Sequence, residues 1–508
     1  MSNKLHINTI AALTTFVINV MISLFISPII VENVGAEANG FVKMSTDFIN
    51  YAQIITIALN SVASRFIALE YHRGNKDEAL KFYNSTLWSN VFIAFMFMIV
   101  GAYIVINLEN LINVDNYLLY DVKILFSLIF FNFFITLVCS VFSVGAYVTN
   151  SLYLTSLATA VGNLLRIIAI FVLFQAFDIR VWVLGIGSCI TSLMIGLSNC
   201  VFCRKLVPDL KINFQSFSLS YTFFMLKSGI WSSVTHLSNI IQDGLDLLVS
   251  NLLLSTLVMG QISLAKTAPS LMASLISTLS SLFIPNFVKL YAKNRKVDMV
   301  YEIKLAMKFT GFIASVVFCV FIVLGESFFE LWVPSQDTNY IYKLSAMCVL
   351  SVVVSGVVSP LNSIFVVVNK LKINALVWLG ISGLDLCLVF LCLRYTEFGG
   401  LAVVGISSLT GIVASLTYLP LIISKYLDIN IKEIYSVILR YIIAVLIGLI
   451  IISFISYAMQ SVGNTWISFI AKGFLFCLTM ILNNYFVLLK KAERKIFIEK
   501  ILNKFRIT

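Results

Sequence analysis

Residues 231–250 read WSSVTHLSNIIQDGLDLLVS, a run in which ionisable and hydroxyl side chains recur at a helical interval. Ser232, His236, Asn239, Asp243, Asp246 and Ser250 are spaced by 4, 3, 4, 3 and 4 residues. An α-helix would carry them as one stripe opposite Ile241, Leu245, Leu248 and Leu252. Two carboxylates on such a stripe could exchange a proton or hold a small cation. Asp246 matches Lys266 of the next apolar run in depth, so an ion pair between them is the plain alternative. Asp243, one turn deeper, is then the candidate for a group that gains and loses a proton. For His236, hydrogen-bonded packing is the ordinary reading. Arg166 lies near the middle of SLATAVGNLLRIIAIFVLF with Asn163 one turn earlier, a donor-rich patch suited to a phosphate or carboxylate. An ion pair of Arg166 with Asp385 or Asp47 is the alternative. Asp385 sits deep in ISGLDLCLVF, whereas Asp47 and Lys472 lie nearer the ends of their runs. Arg65 stands where an apolar run ends and could meet an anionic group there, or act as an ordinary anchor.

The elements that must position these residues follow from composition. The 508-residue chain is 60% hydrophobic and 12% charged, with a mean hydropathy of +0.98. That is an integral membrane protein, and apolar runs of about 20 residues imply an all-α bundle, since no water in hydrocarbon satisfies exposed backbone. The first run, 7–31, is too long for a cleaved signal and reads as a transmembrane helix. Most of the nine cysteines lie inside apolar runs, so neither a disulfide framework nor a metal site is expected. No G-x-x-x-x-G-K-[ST] loop occurs, so energy must come from an ion or substrate gradient.

Fourteen spans are expected, beginning near residues 7, 41, 85, 124, 156, 181, 229, 261, 307, 344, 373, 401, 438 and 467. With both termini cytoplasmic, 27 of the 35 Lys and Arg residues fall inside and five outside, and dropping one span would invert every later loop. The net charge of +11 then reflects topology and anionic membrane lipids, and nucleic-acid binding is excluded. Segments 65–79 and 286–300 align at an offset of 221, matching Phe66 with Phe287 and Asp77 with Asp298. This suggests duplicated six-span halves. The expected division is residues 1–215 (spans 1–6), 216–430 (spans 7–12) and 431–508 (spans 13–14 with a basic tail). Pro28, Pro269, Pro285 and Pro360 fall in spans 1, 8 and 10, where they permit bending.

This layout, with the opening INVMISLFISPIIVENVGAEANGFVKMSTDFINYAQIITIALN and the span-2 exit SRFIALEYHRGNKDEA, resembles the Wzx-type polysaccharide flippases of the multidrug/oligosaccharidyl-lipid/polysaccharide (MOP) exporter superfamily. The resemblance implies two six-helix lobes of MATE-like fold plus two C-terminal helices in the bacterial cytoplasmic (inner) membrane. It also implies undecaprenyl-diphosphate-linked oligosaccharide as substrate, for O-antigen, capsule or exopolysaccharide assembly, with a polysaccharide polymerase and chain-length regulator as partners. Arg166, Lys266, Arg65 and Asn163 would bind substrate, and Asp243, Asp246 and Asp385 would couple to H⁺ or Na⁺, with no cofactor. A MATE-type cation or drug antiporter is the alternative. A membrane-embedded polymerase is disfavoured by the short outer loops, so no enzymatic activity is expected.

Overall fold

The computed structural model describes residues 2–368, 370–460, 463–489 and 494, and no β-strand occurs among them. The chain runs through α1 (Ser2–Val34), α2 (Ala36–His72), α3 (Lys76–Ile106), α4 (Leu119–Cys139), α5 (Tyr153–Ala176) and α6 (Trp182–Leu206). Then come α7 (Leu219–Asn239), a π-helical turn (Ile240–Gly244), α8 (Asp246–Leu253), α9 (Thr256–Ala265), α10 (Thr267–Ser281) and α11 (Ile284–Ala292). The remainder is α12 (Lys296–Trp332), α13 (Thr338–Val367), α14 (Leu371–Tyr395), α15 (Gly400–Leu416), α16 (Tyr418–Leu427), α17 (Ile431–Ala458) and α18 (Trp466–Val487).

Twelve helices among the described residues are long and apolar enough to cross a membrane. Of the other two expected spans, α1 contributes the apolar stretch Val20–Val34, and the run 219–253 is broken by the π-turn. The four prolines fall in two settings. Pro28 and Pro360 lie inside α1 and α13, whereas Pro269 and Pro285 occupy the first turns of α10 and α11, where a missing N–H costs least.

Packing divides the chain into two compact units, residues 1–264 with 375–386, and 265–374 with 387–508. In the first unit, Ile26, Ile30, Ile49, Leu125, Phe133 and Ile170 share one core cluster, and Ile67, Tyr83, Val144, Cys203 and Met225 share a second. In the second unit, α17 and α18 dock on α12 and α13. The Tyr441 hydroxyl donates to the Val353 carbonyl at 2.8 Å, and Asn484 Nδ2 donates to Ser315 Oγ at 2.7 Å. In hydrocarbon such groups must find partners within the protein, so these two residues fix the pair's position.

Two helix ends share one local geometry. α2 and α11 each end in a Schellman turn, with Gly74 (φ 84°) and Asn294 (φ 52°) in the left-handed region. Asn75 N–H donates to Glu70 O and Arg295 N–H to Leu290 O, each at 3.0 Å. The residue after each turn is a lysine that reaches an aspartate: Lys76 to Asp209 at 2.8 Å, Lys296 to Asp428 at 3.9 Å. These matches set the offset at 220, not 221. A slip of one residue turns a helix by about 100°, and burial decides the phase. Phe287 is enclosed like Ile67, and Met299 like Ala79, whereas the 221 alignment paired Phe287 with the less buried Phe66.

Substitutions at the twin turns test this reading. Gly74→Ala should lower the stability of purified protein by about 1 kcal/mol through left-handed strain, and Asn294→Gly should hold or raise it, as read from thermal unfolding midpoints. The hydrogen bond from Lys76 holds the Asp209 carboxyl below its ordinary pKa. The resulting stabilisation is present above the unfolded carboxylate value of ~3.9 and is lost as pH falls through the folded one. Asp209→Asn should therefore lower the midpoint at neutral pH, with the difference from the unsubstituted protein closing on acidification.

Candidate functional site

Within the first unit, α2 lies against α7, the π-turn and α9, and the contact is polar along its length. Asn39 Nδ2 donates to Ser263 Oγ at 2.7 Å, and the Lys43 ammonium donates to the Ser263 carbonyl. Further along, the Tyr51 hydroxyl donates to the Gly244 carbonyl at 2.6 Å, and His236 Nε2 lies 3.2 Å from the Asn50 carbonyl. Ser233 Oγ donates to the Ile54 carbonyl. The two helices approach until side chains are excluded. A Cβ on Gly229 would lie 1.9 Å from the Ala58 carbonyl oxygen, so only glycine fits.

The π-turn is what the spacing of polar residues could not foresee. A π-turn inserts one extra residue, so every face beyond it rotates by about 100°. The expected single stripe therefore ends near Asn239. Asp243 is exposed while Asp246 is only 6% exposed, and the two carboxylates do not continue one α-helical face. Tyr51 meets the carbonyl of Gly244, the last residue of the turn, a device for satisfying backbone where a helix is interrupted in hydrocarbon. Asp385 is 1% exposed on α14, one turn from Ser382, whose hydroxyl donates to the Ser238 carbonyl of α7 at 2.9 Å. The segment 375–386 is thereby seated on α7.

Arg166 stands apart. Its stem passes over Gly187 of α6, where an added Cβ would lie 3.0 Å from Arg166 Cγ. Its Nε is enclosed without a hydrogen-bond partner, and it forms no ion pair among the described residues. The expected alternative partners, Asp385 and Asp47, do not meet it. Asn163 is buried on the same helix. Arg65 is exposed on α2, and Lys266 is half-buried where α9 meets α10, in the second unit.

Several polar residues escaped the sequence reading. Lys308, counted with an inner loop, is 4% exposed because α12 begins twelve residues earlier at Lys296. Lys43, counted outside, belongs to a stripe of Asn39, Lys43, Asp47 and Asn50 on α2 whose spacing would have disclosed it. Cys200 and Cys203 form a C-x-x-C on α6, both as free thiols.

With the geometry in hand, comparison with known proteins is direct. No protein-family profile matches the chain. It is 27% identical over 502 residues to "Uncharacterized membrane protein EpsK" of Bacillus subtilis (strain 168), covering 98% of both chains. Its structure is similar to an inward-facing multidrug resistance MATE transporter of the MOP superfamily, with a TM-score of 0.66, 14% identity, and 82% of this chain and 95% of that one covered. It is equally similar to lipid II flippase MurJ in an inward closed conformation, with a TM-score of 0.66, 15% identity, and 93% and 97% covered. The fold is that of the MOP-superfamily transporters. Twelve apolar helices together with this fold make the chain a multi-pass membrane protein, and the seam along α2 lies within its helical core.

Substituting the seam separates its hydrogen bonding from its close packing. Tyr51→Phe should cost stability only ~0.6 kcal/mol, with ~1.7 as a ceiling, because a membrane-buried side-chain hydrogen bond is worth no more. Gly229→Val should cost ~1–3 kcal/mol or more by overpacking against the Ala58 carbonyl, seen as a lower unfolding midpoint and aggregated material in size-exclusion chromatography.

Proposed function

We propose that the chain is a flippase for polyprenyl-diphosphate-linked oligosaccharide, moving repeat units across a bacterial cytoplasmic membrane for surface polysaccharide assembly. The observation that carries this reading is Arg166, an arginine inside the helical bundle with no ion pair among the described residues. Leaving such a cation uncompensated is costly, and an anionic ligand relieves the cost. Arg166 with Asn163 would hold the diphosphate, Arg65 would meet it at the inner surface, and Lys266 would add charge. Asp243, exposed within the π-turn, is the residue assigned to exchange H⁺ or Na⁺ with water, and Asp246 and Asp385 complete the carboxylate set.

The extent of the likeness to MurJ supports a lipid-linked substrate. What MurJ leaves unmatched is shorter than the last two helices together, of 28 and 22 residues, so at least part of that pair has a counterpart there. The likeness to the MATE transporter leaves enough unmatched chain to omit the pair. On this reading the protein has fourteen spans, grouped as six (1–215), six (216–430) and two (431–508), with both termini cytoplasmic. It performs no bond-making chemistry, and its partners are the polymerase and the chain-length regulator. Two enclosed carboxylates, Asp246 and Asp385, favour the second reading, a MATE-type cation antiporter.

Complementation discriminates the two. In cells lacking the gene, Arg166→Ala should reduce surface glycan at least tenfold while membrane insertion stays normal, and Asp243→Asn should do the same. Full glycan display by both variants would refute the flippase assignment, and loss of resistance to cationic drugs with glycan unchanged would favour the antiporter.

A further inference from the structure

A second polar feature lies at the far end of α6, away from the seam. Tyr83 of α3, Phe142 in the turn after α4, Cys200, Cys203 and Arg204 of α6, and Pro208, Leu210, Lys211 and Ile212 line an open cavity of about 370 Å³. That volume falls within the ~300–1,000 Å³ range of ligand pockets. Its walls are of two kinds. Phe142, Pro208, Leu210 and Ile212 are apolar, while Arg204 and Lys211 bring two exposed positive charges to the rim.

The rim is held in place by its neighbours. Asn84, with no exposed surface, donates through Nδ2 to the Lys211 carbonyl at 3.0 Å and accepts from Asn213 N–H at 2.7 Å. Ser85 Oγ accepts from Ser218 N–H at 3.1 Å. The Asn84-Ser85-Thr86 triplet is therefore a clamp for the loop after α6, and its burial excludes it as a glycosylation acceptor. The acid nearest in sequence, Asp209, is engaged directly by Lys76 and by the Tyr71 hydroxyl at 3.1 Å and feels Lys211 only through space, so its carboxylate closes an ion pair with neither Arg204 nor Lys211.

We infer that this cavity holds the phosphate-bearing headgroup of an anionic phospholipid of the inner leaflet. Arg204 and Lys211 meet the phosphate, and the acyl chains leave along Phe142 and Ile212. A cationic rim above an apolar wall at the end of a membrane-spanning helix matches the two ends of such a lipid, and basic clefts between helices on the cytoplasmic side are recurrent headgroup sites. The inference depends on the orientation that places residues 204–211 inside, and not on which substrate is transported.

The test uses the full-length protein in nanodiscs containing phosphatidylglycerol and phosphatidylethanolamine, followed by graded delipidation and native mass spectrometry. Wild type should retain one more phosphatidylglycerol than R204Q/K211Q, whose affinity should fall about 30-fold. K289Q/K293Q, which removes equal charge elsewhere, should retain it, and R204K/K211R should restore binding. Should R204Q/K211Q elute as aggregate, the single K211Q variant at an exposed site gives the same comparison. Equal retention by wild type and R204Q/K211Q would overturn the proposal. Displacement of the lipid by millimolar inorganic phosphate alone would overturn it too, because the site would then bind a free anion.

Discussion

Lipid hydrocarbon offers no hydrogen bonds, and that single constraint orders this molecule. Every interruption of a helix, and every polar side chain within one, has to be answered by another part of the chain. Tyr51 answers the carbonyl at the π-turn, Tyr441 answers Val353, Asn484 answers Ser315, and Ser382 answers Ser238. These contacts hold elements far apart in sequence and supply orientation that apolar packing between helices leaves loose. Arg166 departs from the pattern. Its Nε is enclosed without a hydrogen-bond partner among the described residues, as are Thr155 Oγ1 on the same helix and Asn199 Oδ1 on α6, but Arg166 alone of these carries a charge, which makes it the centre of the functional reading.

Much of the fold was legible because hydrophobic runs and loop charge are coarse signals that survive errors of several residues. The all-helical class and most of the apolar spans followed from them. The site was harder, because it depends on helix phase. No spacing rule announces a π-turn, and one inserted residue was enough to separate Asp243 from Asp246. The repeat failed in the same way, since similarity of side chains favoured Phe66 with Phe287 while burial favours a register one residue away. Lys308 was misplaced because basic residues were counted by position along the chain, and a helix that starts early carries its later lysines inward.

The two structural likenesses differ in reach rather than in strength. Equal TM-scores to a MATE transporter and to MurJ show one architecture serving different passengers. What separates the proposals is local: an unanswered arginine on α5, the buried carboxylates on α8 and α14, and a helical pair fastened to α12. Each is a few side chains placed on a shared frame.

The matching turns after α2 and α11 also set how the chain leaves each helix. Two left-handed positions 220 residues apart, each followed by a lysine that reaches an aspartate, give both helix ends the same exit. Glycine stands at one and asparagine at the other, a residue that tolerates the same backbone. A corner of this kind fixes the direction of the next helix by backbone geometry, whatever side chains surround it.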